Sequence, residues 1–304
     1  MFKNVFNMSQ FGLVVDWKFH RRDGWVSIFA PNLVEAILKE FDPYIISSQR
    51  DYELCKKRVK YIVSMEPGWA APKIIYDHRV DHVVAVMASD PHNKKEWLGE
   101  YVSANGIDYV LSQYRSPFFY HFPDFPPEKF VHFPWAVPDR FLSTHEITCR
   151  KGDLAIFGAA AGDAYDVRNW CRQHPLVKDY RYSGVENKDL SNVRFFKWLQ
   201  TLDAVVAAGS SQPVYNLVTP KYFEIAASSA LLVGQECADL PSLGFNEGNM
   251  LIFTKDNFAE LAEDYTRNPE RYLPVREMGR QLIAGRHLVS HRLKQLKELF
   301  LERA

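Results

Sequence analysis

The chain has 304 residues, and its 37 Lys and Arg balance its 37 Asp and Glu, so the formal net charge is zero. A neutral chain has no global field that would draw it to nucleic acid or to an anionic membrane. Its 47% hydrophobic and 14% aromatic content excludes a disordered protein. At about 150 residues per domain, the length predicts two domains.

The cysteines and the N-terminus indicate the cellular compartment. Cys55, Cys149, Cys171 and Cys237 are scattered along the chain and form no C-x-x-C pair, so we expect reduced thiols. Residues 1–10 lack the apolar core of a signal peptide, and no stretch approaches the roughly eighteen apolar residues of a membrane span. These features predict a cytoplasmic protein.

Short apolar runs alternate with helical stretches through the first half of the chain. One helix is expected from an N-cap at Asn32 to Phe41, after a loop over 17–25. Continuous apolar strands that alternate with helices are typical of a parallel sheet covered on both faces. The predicted strands are 11–16, 44–46, 61–63, 74–76, 82–87, 109–111 and 130–133.

The same alternation restarts after a proline-bounded segment and a polar hinge over 139–151. We therefore predict an α/β protein with two Rossmann-like domains, 1–140 and 141–304. The predicted strands of the second are 153–157, 180–184, 203–208, 230–234 and 249–253. Its predicted helices are 165–174, 190–199, a helix that starts at Pro220, 257–268, and a long helix or helix pair over 279–303.

The segment from Thr219 to Gly234 combines a helix start with polar side chains. Pro220 suits the first helical turn, and Thr219 suits the N-cap. Lys221 and Glu224 lie one turn apart near the positive end of this helix, where a phosphate is favoured and a carboxylate can hold a hydroxyl. The alternative is an ordinary amphipathic helix with a solvated ion pair.

The sequence of this segment is Thr-Pro-Lys-Tyr-Phe-Glu-Ile-Ala-Ala-Ser-Ser-Ala-Leu-Leu-Val-Gly. It is similar to the T-P-R-x-F-E-x-x-A-x-G-x-x-L-L signature of CgeB-like (spore-maturation-type) glycosyltransferases. The resemblance implies the GT-B fold, in which two Rossmann-like domains face each other across a cleft. It further implies an acceptor domain first, a nucleotide-sugar donor domain second, and a final helix that packs back across the domains.

The resemblance implies transfer of a sugar from a nucleotide-diphosphate sugar to an acceptor hydroxyl, without a metal or other cofactor, and it leans toward retention of configuration. The acceptor stays open among glycan, protein, lipid and nucleic acid. Two alternatives remain: a nucleotide-sugar epimerase on the same fold, and a non-catalytic nucleotide-sugar-binding or scaffold protein.

Family positions supply the expected donor contacts. The small-residue loop over 158–163 follows a strand and suits a diphosphate, although a plain strand-to-helix turn explains it equally well. Asp166 replaces the proline of a Tyr-Pro-x-Arg pattern that ends at Arg168. Asn216 stands where many retaining enzymes carry another glutamate. The expected donor-binding residues are Gly158, Ala159, Arg168, Tyr215, Asn216, Thr219, Lys221 and Glu224.

The first half offers candidates for the reaction itself. Asp90 and His92 follow a strand, where a carboxylate or imidazole can take a proton from an acceptor hydroxyl. The alternative for Asp90 is a helix cap with Pro91 next to it. The histidines show no metal-ligand spacing, so we expect no metal. The expected acceptor-cleft residues are Glu66, Trp69 and Trp135, with core packing as the alternative for both tryptophans.

Overall fold

The computed structural model describes residues 10–20, 27–145, 147–148, 152–180 and 191–301. The chain forms two compact units. Within the described residues, unit 1 consists of 10–20, 30–134 and 292–301. Unit 2 consists of 27–29 and the described residues between 135 and 291. The sequence division at residue 140 follows chain order, whereas unit 1 also takes a segment from the end of the chain and unit 2 takes one from near its start.

Unit 1 is built on a six-stranded parallel sheet with the order β2-β1-β3-β4-β5-β6. β1, β3, β4 and β5 are buried along their whole length, as expected for apolar strands covered on both faces. The strands are β1 (Phe11–Val14), β2 (Tyr44–Ile46), β3 (Tyr61–Ser64), β4 (Val83–Met87), β5 (Tyr109–Ser112) and β6 (Phe130–His132).

Helices follow most of these strands, as parallel crossovers require. Ser48 caps α3, since its hydroxyl accepts the amide of Asp51 at 3.2 Å. The helices are α1 (Trp17–His20), α2 (Phe29–Phe41), α3 (Gln49–Cys55), α4 (Leu98–Ala104) and α5 (Ser116–His121).

Unit 2 contains a five-stranded parallel sheet with the order β11-β10-β9-β7-β8. β7, β9 and β10 are fully buried. The strands are β7 (Leu154–Ile156), β8 (Val177–Asp179), β9 (Ala204–Ala207), β10 (Leu231–Gln235) and β11 (Leu251–Phe253).

Two hydrophobic clusters form the core of unit 2. Phe223, Ala226 and Ala227 of α8 (Pro220–Ala227) are buried in one of them. A Cβ atom on Gly279 would lie 2.7 Å from the Asn249 carbonyl oxygen, so the absence of a side chain lets α11 lie close to the segment before β11. The helices are α6 (Asp166–Cys171), α7 (Asn192–Leu199), α8 (Pro220–Ala227), α9 (Leu240–Leu243), α10 (Phe258–Arg267), α11 (Leu273–Arg286) and α12 (Val289–Leu301).

The α/β class with two parallel sheets is confirmed, and most predicted strands form. The strand predicted over 74–76 is wrong. Its amides bond to side chains instead of a neighbouring strand: Ile74 to the Tyr101 hydroxyl at 3.3 Å and Ile75 to the Gln49 amide oxygen at 2.9 Å. Side chains from other elements therefore replace a sheet ladder at this segment.

Other boundaries also differ. Asn32 is buried inside α2, which begins at Phe29, so it is not the helix cap. α1 lies where a loop was expected. Of the strand predicted over 180–184, Tyr180 follows β8 and the rest lies outside the described residues.

The long terminal helix is a pair, α11 and α12. Around the break, the Val137 amide donates to the His287 carbonyl and the Val289 amide donates to the Val137 carbonyl, both at 2.9 Å. A bridge to another segment therefore replaces the helical hydrogen bonds at this point.

Candidate active site

The start of α8 is as predicted. Pro220 is the first helical residue and Thr219 is the N-cap, with extended backbone angles. The Thr219 side chain makes no capping hydrogen bond within the described residues. This hydroxyl therefore stays available next to the helix N-terminus.

Glu224 is buried within unit 2, with only 2% of its surface exposed. Its Oε1 accepts the backbone amide of Ile28 at 3.4 Å, whereas Oε2 has no hydrogen-bond partner among the described residues. Burial raises the pKa of this carboxyl to about 7, and the positive charge of Lys221 opposes the rise. The alternative of a solvated ion pair on an ordinary helix is wrong for Glu224. A buried carboxyl oxygen without a partner is costly, and a hydroxyl donor would supply the missing hydrogen bond.

Lys221 turns toward the end of β7 instead. Its Nζ donates to the Phe157 carbonyl at 3.0 Å and lies 3.7 Å from the centroid of the Phe157 ring. The adjacent Gly158 has a φ of +104°, and a Cβ atom there would collide with Lys221 Nζ. Glycine at position 158 is thus favoured by the backbone conformation, and it leaves room for the ammonium group in its present position.

Arginine and asparagine side chains donate hydrogen bonds to the carbonyl oxygens of the loop after β7. Ala159 accepts from Arg168 at 3.1 Å and from Arg172 at 3.3 Å, and Ala160 accepts from Asn169 at 2.8 Å. Gly158 accepts from Arg172. The amides of residues 159–162 donate no hydrogen bond to any described residue. Backbone amides without a protein partner in a loop between a strand and a helix are groups that can bind an anion.

Two buried guanidinium groups reinforce this loop. Arg168 also donates to the Ala208 carbonyl at 2.8 Å, and Arg172 lies 3.3 Å from the Asp179 carboxylate. Sequence reasoning identified Arg168 but missed Arg172. The sequence signal that could have identified Arg172 is its position four residues after Arg168, a helical spacing that places both side chains on one face.

Asp166, which replaces the expected proline, ties two loops together. Its carboxylate accepts hydrogen bonds from the Ser211 amide at 2.8 Å and from the Ser211 hydroxyl at 2.7 Å. Partial burial acts to raise the pKa of Asp166, but the hydrogen bonds from Ser211 and Ser210 and the charge of Lys255 hold it well below its usual range. The charged carboxylate therefore joins the start of α6 to the end of β9.

Residues between β9 and α8 complete the region. Tyr215 is half-buried in a short 3-10 helix, and Asn216 donates to the Glu236 carbonyl at 3.1 Å. Gln235, which sequence reasoning missed, accepts the Gly209 amide at 2.9 Å and donates to the Ser210 carbonyl at 2.8 Å. Of the predicted donor residues, unit 2 thus brings Gly158, Ala159, Arg168 and Lys221 together at the loop after β7. The others, Tyr215, Asn216, Thr219 and Glu224, lie on the segment between β9 and β10.

A cavity of about 570 Å³ lies beyond β10 in the same unit. Carboxylates of Glu236 and Glu247 contribute to its lining, together with the apolar Leu240 and Phe245. A diphosphate would be repelled by these carboxylates and attracted by the arginines behind the β7 loop. By charge, the loop after β7 is therefore the better match to a diphosphate.

The predicted catalytic residues lie in unit 1. Asp90 precedes a 3-10 helix over Pro91–Asn93 and has a left-handed φ of +45°, but its side chain makes no capping hydrogen bond in the described structure. His92 is half-buried, and its ring centroid is 6.3 Å from that of His121. Burial lowers the pKa of both imidazoles. They are neutral at pH 7, which is the form that accepts a proton.

The predicted acceptor residues have three different environments. Glu66 is buried, and its carboxylate accepts the Ser89 amide at 2.6 Å and lies 3.1 Å from Lys94 Nζ. Trp69 is 56% exposed, so core packing is wrong for this residue. Trp135 is partly buried against the core of unit 2, with Phe29 edge-on at 5.6 Å. Glu66 and Trp69 belong to unit 1, together with His92 and Asp90, whereas Trp135 belongs to unit 2.

Comparisons with known proteins identify relatives by sequence and by fold. The family described as glycosyl transferase-like matches residues 141–298, which is more than half of the chain. A search of curated proteins returned no significant match. Within the described residues, no helix is long and apolar enough to cross a membrane.

Several solved structures share the fold. HepE from Anabaena in complex with UDP-glucose aligns over 96% of this chain and 99% of its own, at 9% identity and a TM-score of 0.61. AviGT4, a glycosyltransferase of avilamycin A biosynthesis, aligns over 97% and 99%, at 11% identity and a TM-score of 0.59. TarM aligns over 79% of this chain at 12% identity and a TM-score of 0.54, and the match spans about half, 54%, of TarM. At these identities the likeness shows the fold, and two parallel α/β units are consistent with GT-B.

Proposed function

This chain belongs to the glycosyl transferase-like family, and we propose that it moves a glycosyl group from a nucleoside-diphosphate sugar to an acceptor hydroxyl, as a CgeB-like GT-B enzyme. The observation that carries the proposal is the cationic loop of unit 2. Arg168 and Arg172 hold the carbonyls of residues 158–160, and the amides of 159–162 have no partner among the described residues. This is an anion site built before its ligand arrives.

The diphosphate fits this site by charge. Two guanidinium groups and the Lys221 ammonium lie around the loop, with Asp179 at 3.3 Å from Arg172 as a counter-charge. Fixed cations and amides stabilise the negative charge that develops as the bond from the anomeric carbon to the phosphate oxygen breaks. Because they supply that charge, we propose that the transfer needs no metal ion.

The nucleoside fits Glu224. Its Oε1 accepts the Ile28 amide, and Oε2 is available to a ribose hydroxyl. Thr219 and Lys221, at the N-terminal end of the same helix, are proposed to contact the phosphates. One helix would then hold both parts of the nucleotide, which fixes the position of the anomeric carbon.

In the transfer step the acceptor oxygen bonds to the anomeric carbon and the diphosphate departs. We propose retention of configuration, with the departing phosphate oxygen taking the acceptor proton. His92 or Asp90 would take that proton in an inverting reaction, and the neutral state of His92 suits this role. The anomeric configuration of the product, read by proton NMR, distinguishes the two courses.

The buried, unpaired thiols of Cys55, Cys171 and Cys237 fit a reducing compartment. We therefore propose a cytoplasmic site of action.

The test is a panel of UDP, GDP, ADP and their glucose conjugates, measured by thermal shift and by release of free nucleoside diphosphate. HepE was solved with UDP-glucose, which makes UDP-glucose the first probe. We expect one nucleotide family to raise Tm and its sugar conjugate to be consumed, without added metal. Binding without consumption in the presence of glycoside, peptide and lipid acceptors would favour a binding protein, and release of an isomerised sugar would favour an epimerase. Failure of the whole panel to bind would contradict the proposal.

A further inference from the structure

Residues 74–77 of unit 1 lie between β3 and β4 and belong to no helix or strand. Their four successive backbone amides all donate to side chains of other elements. The accepting side chains, in order, are those of Tyr101, Gln49, Asn105 and Tyr52, at 3.3, 2.9, 3.4 and 2.8 Å. The position of the 74–77 segment therefore depends on the state of a few side chains, and a change in one of them can release it.

The imidazole of His82 controls one of these side chains. Its Nδ1 lies 3.1 Å from the Val59 carbonyl oxygen, and its Nε2 lies 2.9 Å from the Tyr52 hydroxyl. A carbonyl oxygen only accepts hydrogen bonds, so the Nδ1 atom carries the hydrogen and donates it. The Nε2 atom of the neutral ring then accepts the Tyr52 O–H. The two contacts thus select one tautomer of His82.

The Tyr52 hydroxyl connects this imidazole to the 74–77 segment. Its oxygen accepts the Asp77 amide at 2.8 Å, and its hydrogen goes to His82. These are the hydrogen bonds that the hydroxyl makes with the described residues. Tyr52 is completely buried, and burial raises the pKa of its hydroxyl, so it stays a neutral donor. The network is therefore complete while His82 is neutral.

Ion pairs neutralise the charged groups next to this network. The Asp77 carboxylate lies 2.9 Å from Lys56 Nζ and 2.9 Å from Arg79 Nε. Lys56 also lies 2.7 Å from the Glu53 carboxylate. Two carboxylates and two cations balance each other here, so this group presents no net charge that would hold an imidazolium in place.

A polar cavity of about 370 Å³ gives water access to the half-buried ring of His82. The other titratable groups without an ion pair in its lining are His78, Asp81 and Asp108. Burial lowers the pKa of His82 below its ordinary 6.5, and Lys56 adds to this effect. The charges of Asp81 and Asp77 act in the opposite direction but are outweighed.

We propose that the Tyr52–His82 pair is a pH-sensitive switch, which holds the 74–77 segment against α3 while the imidazole is neutral and releases it when the imidazole gains a proton. A second hydrogen, on Nε2, would meet the hydrogen of the Tyr52 hydroxyl. The hydroxyl would then lose its acceptor inside the protein, which is costly for a buried group. Breaking the contact also frees the Asp77 amide.

The sign of the pH dependence follows from the lowered pKa. The released imidazole titrates at its ordinary 6.5, so the held form has its full stability above pH 6.5. That stability is lost as the pH falls from 6.5 toward the lower pKa of the held form. The switch acts within unit 1 and does not depend on nucleotide binding by unit 2.

Hydrogen exchange of the intact protein, followed by mass spectrometry at pH 7.5 and 5.5, tests this switch. Rates are corrected for the pH dependence of exchange in an unstructured chain. We expect protection of the 74–77 amides to fall about tenfold at the lower pH, because release binds one proton and the released ring titrates at 6.5. The α11 amides of unit 2 serve as the internal reference and should keep their protection.

Three variants separate the switch from a general effect of acid. His82→Gln can donate and accept but gains no proton, so its protection should be equal at both pH values. Tyr52→Phe lacks the hydroxyl and should show low protection at both. His78→Gln, at an exposed histidine of the same region, is the matched control and should keep the pH dependence of the wild type.

A measurement on the wild type needs no variant to fold. Long-range ¹H–¹⁵N spectra should show the Nδ1–H tautomer of His82 at pH 7.5 and a pKa below 6.5 for its ring. The Nε2–H tautomer, constant protection of the 74–77 amides in the wild type, an unchanged pH dependence in His82→Gln, or full protection in Tyr52→Phe would each overturn the proposal.

Discussion

In unit 2, guanidinium and ammonium groups surround a loop that follows a strand. In unit 1, the loops that follow the strands carry carboxylates, imidazoles and an exposed tryptophan. In unit 2, Arg168, Arg172 and Lys221 surround a loop with unbonded amides. In unit 1, Glu66 and Lys94 neutralise each other and leave neutral His92 and exposed Trp69. Two sheets of one architecture therefore carry loops of different chemistry, because the fold fixes where the loops lie and the side chains fix what they can bind.

Removal of the Lys221 ammonium should have the largest effect. We expect Lys221→Ala to lower donor turnover by about 10² to 10³, since a fixed charge at the departing diphosphate is lost. The measurement is release of UDP from UDP-glucose. Lys178→Ala is the matched control, because this lysine of unit 2 is exposed and pairs only loosely with Asp153 at 3.7 Å. Equal activities of the two variants would remove Lys221 from the donor site.

The second substitution, His92→Ala, tests whether the imidazole in unit 1 takes part in the transfer. In the proposed retaining course, in which the departing phosphate takes the proton, transfer should be unchanged, whereas in an inverting course it should fall by about 10² through loss of a proton acceptor; UDP affinity should be unchanged in both. The measurement pairs a transfer assay with calorimetric titration of UDP. A product with retained configuration and full activity in the variant would show that the departing phosphate takes the proton and that His92 is not catalytic.

Glu224→Gln should weaken UDP binding by about tenfold at pH 8, because a ribose hydroxyl then bonds to a neutral amide in place of a carboxylate. Burial raises the folded-state pKa of Glu224 to about 7, above its ordinary 4.5. The stability contributed by the protonated form is therefore complete below pH 4.5 and is lost as the pH rises through 7, by about 3 kcal/mol.

Thermal melts between pH 4 and 8, with and without UDP, measure both effects. The unliganded variant should melt above the wild type at pH 8, and UDP affinity should rise with pH more steeply in the wild type than in the variant, since the terminal phosphate of UDP titrates at about pH 6 in both. A pH dependence that is identical in the two proteins would place the titrating group elsewhere.

The smallest effect is expected from Gly158→Ala. A Cβ atom there meets the mobile end of Lys221, which can shift, so we expect UDP affinity to fall only several-fold. The positive φ adds a stability cost of about 1 kcal/mol. Gly106→Ala is the control in unit 1, at a φ of +59°, and should show the stability cost with unchanged UDP affinity. A similar loss of affinity in both variants would point to general destabilisation.

The sequence predicted the two parallel sheets because buried parallel strands are continuous apolar runs that need no distant partner to be recognised. It failed at 74–76, where the hydrogen bonds come from Gln49 and Tyr101. The proposed donor-binding residues near Lys221 were predicted from a local signature. The burial of Glu224 could not be predicted from that signature, since the amide that donates a hydrogen bond to it belongs to Ile28, 196 residues earlier in the chain. Long-range contacts of this kind leave no periodic signal in one sequence.

The most direct test of the anion site is the ¹⁵N–¹H spectrum of protein labelled with ¹⁵N-alanine, titrated with UDP and separately with uridine. We predict large shifts of the Ala159, Ala160 and Ala161 amides with UDP and small ones with uridine, because only UDP carries the diphosphate. Unchanged amides in this loop at saturating UDP would contradict the account, and shifts centred instead on Ala238, next to the cavity beyond β10, would move the donor site there.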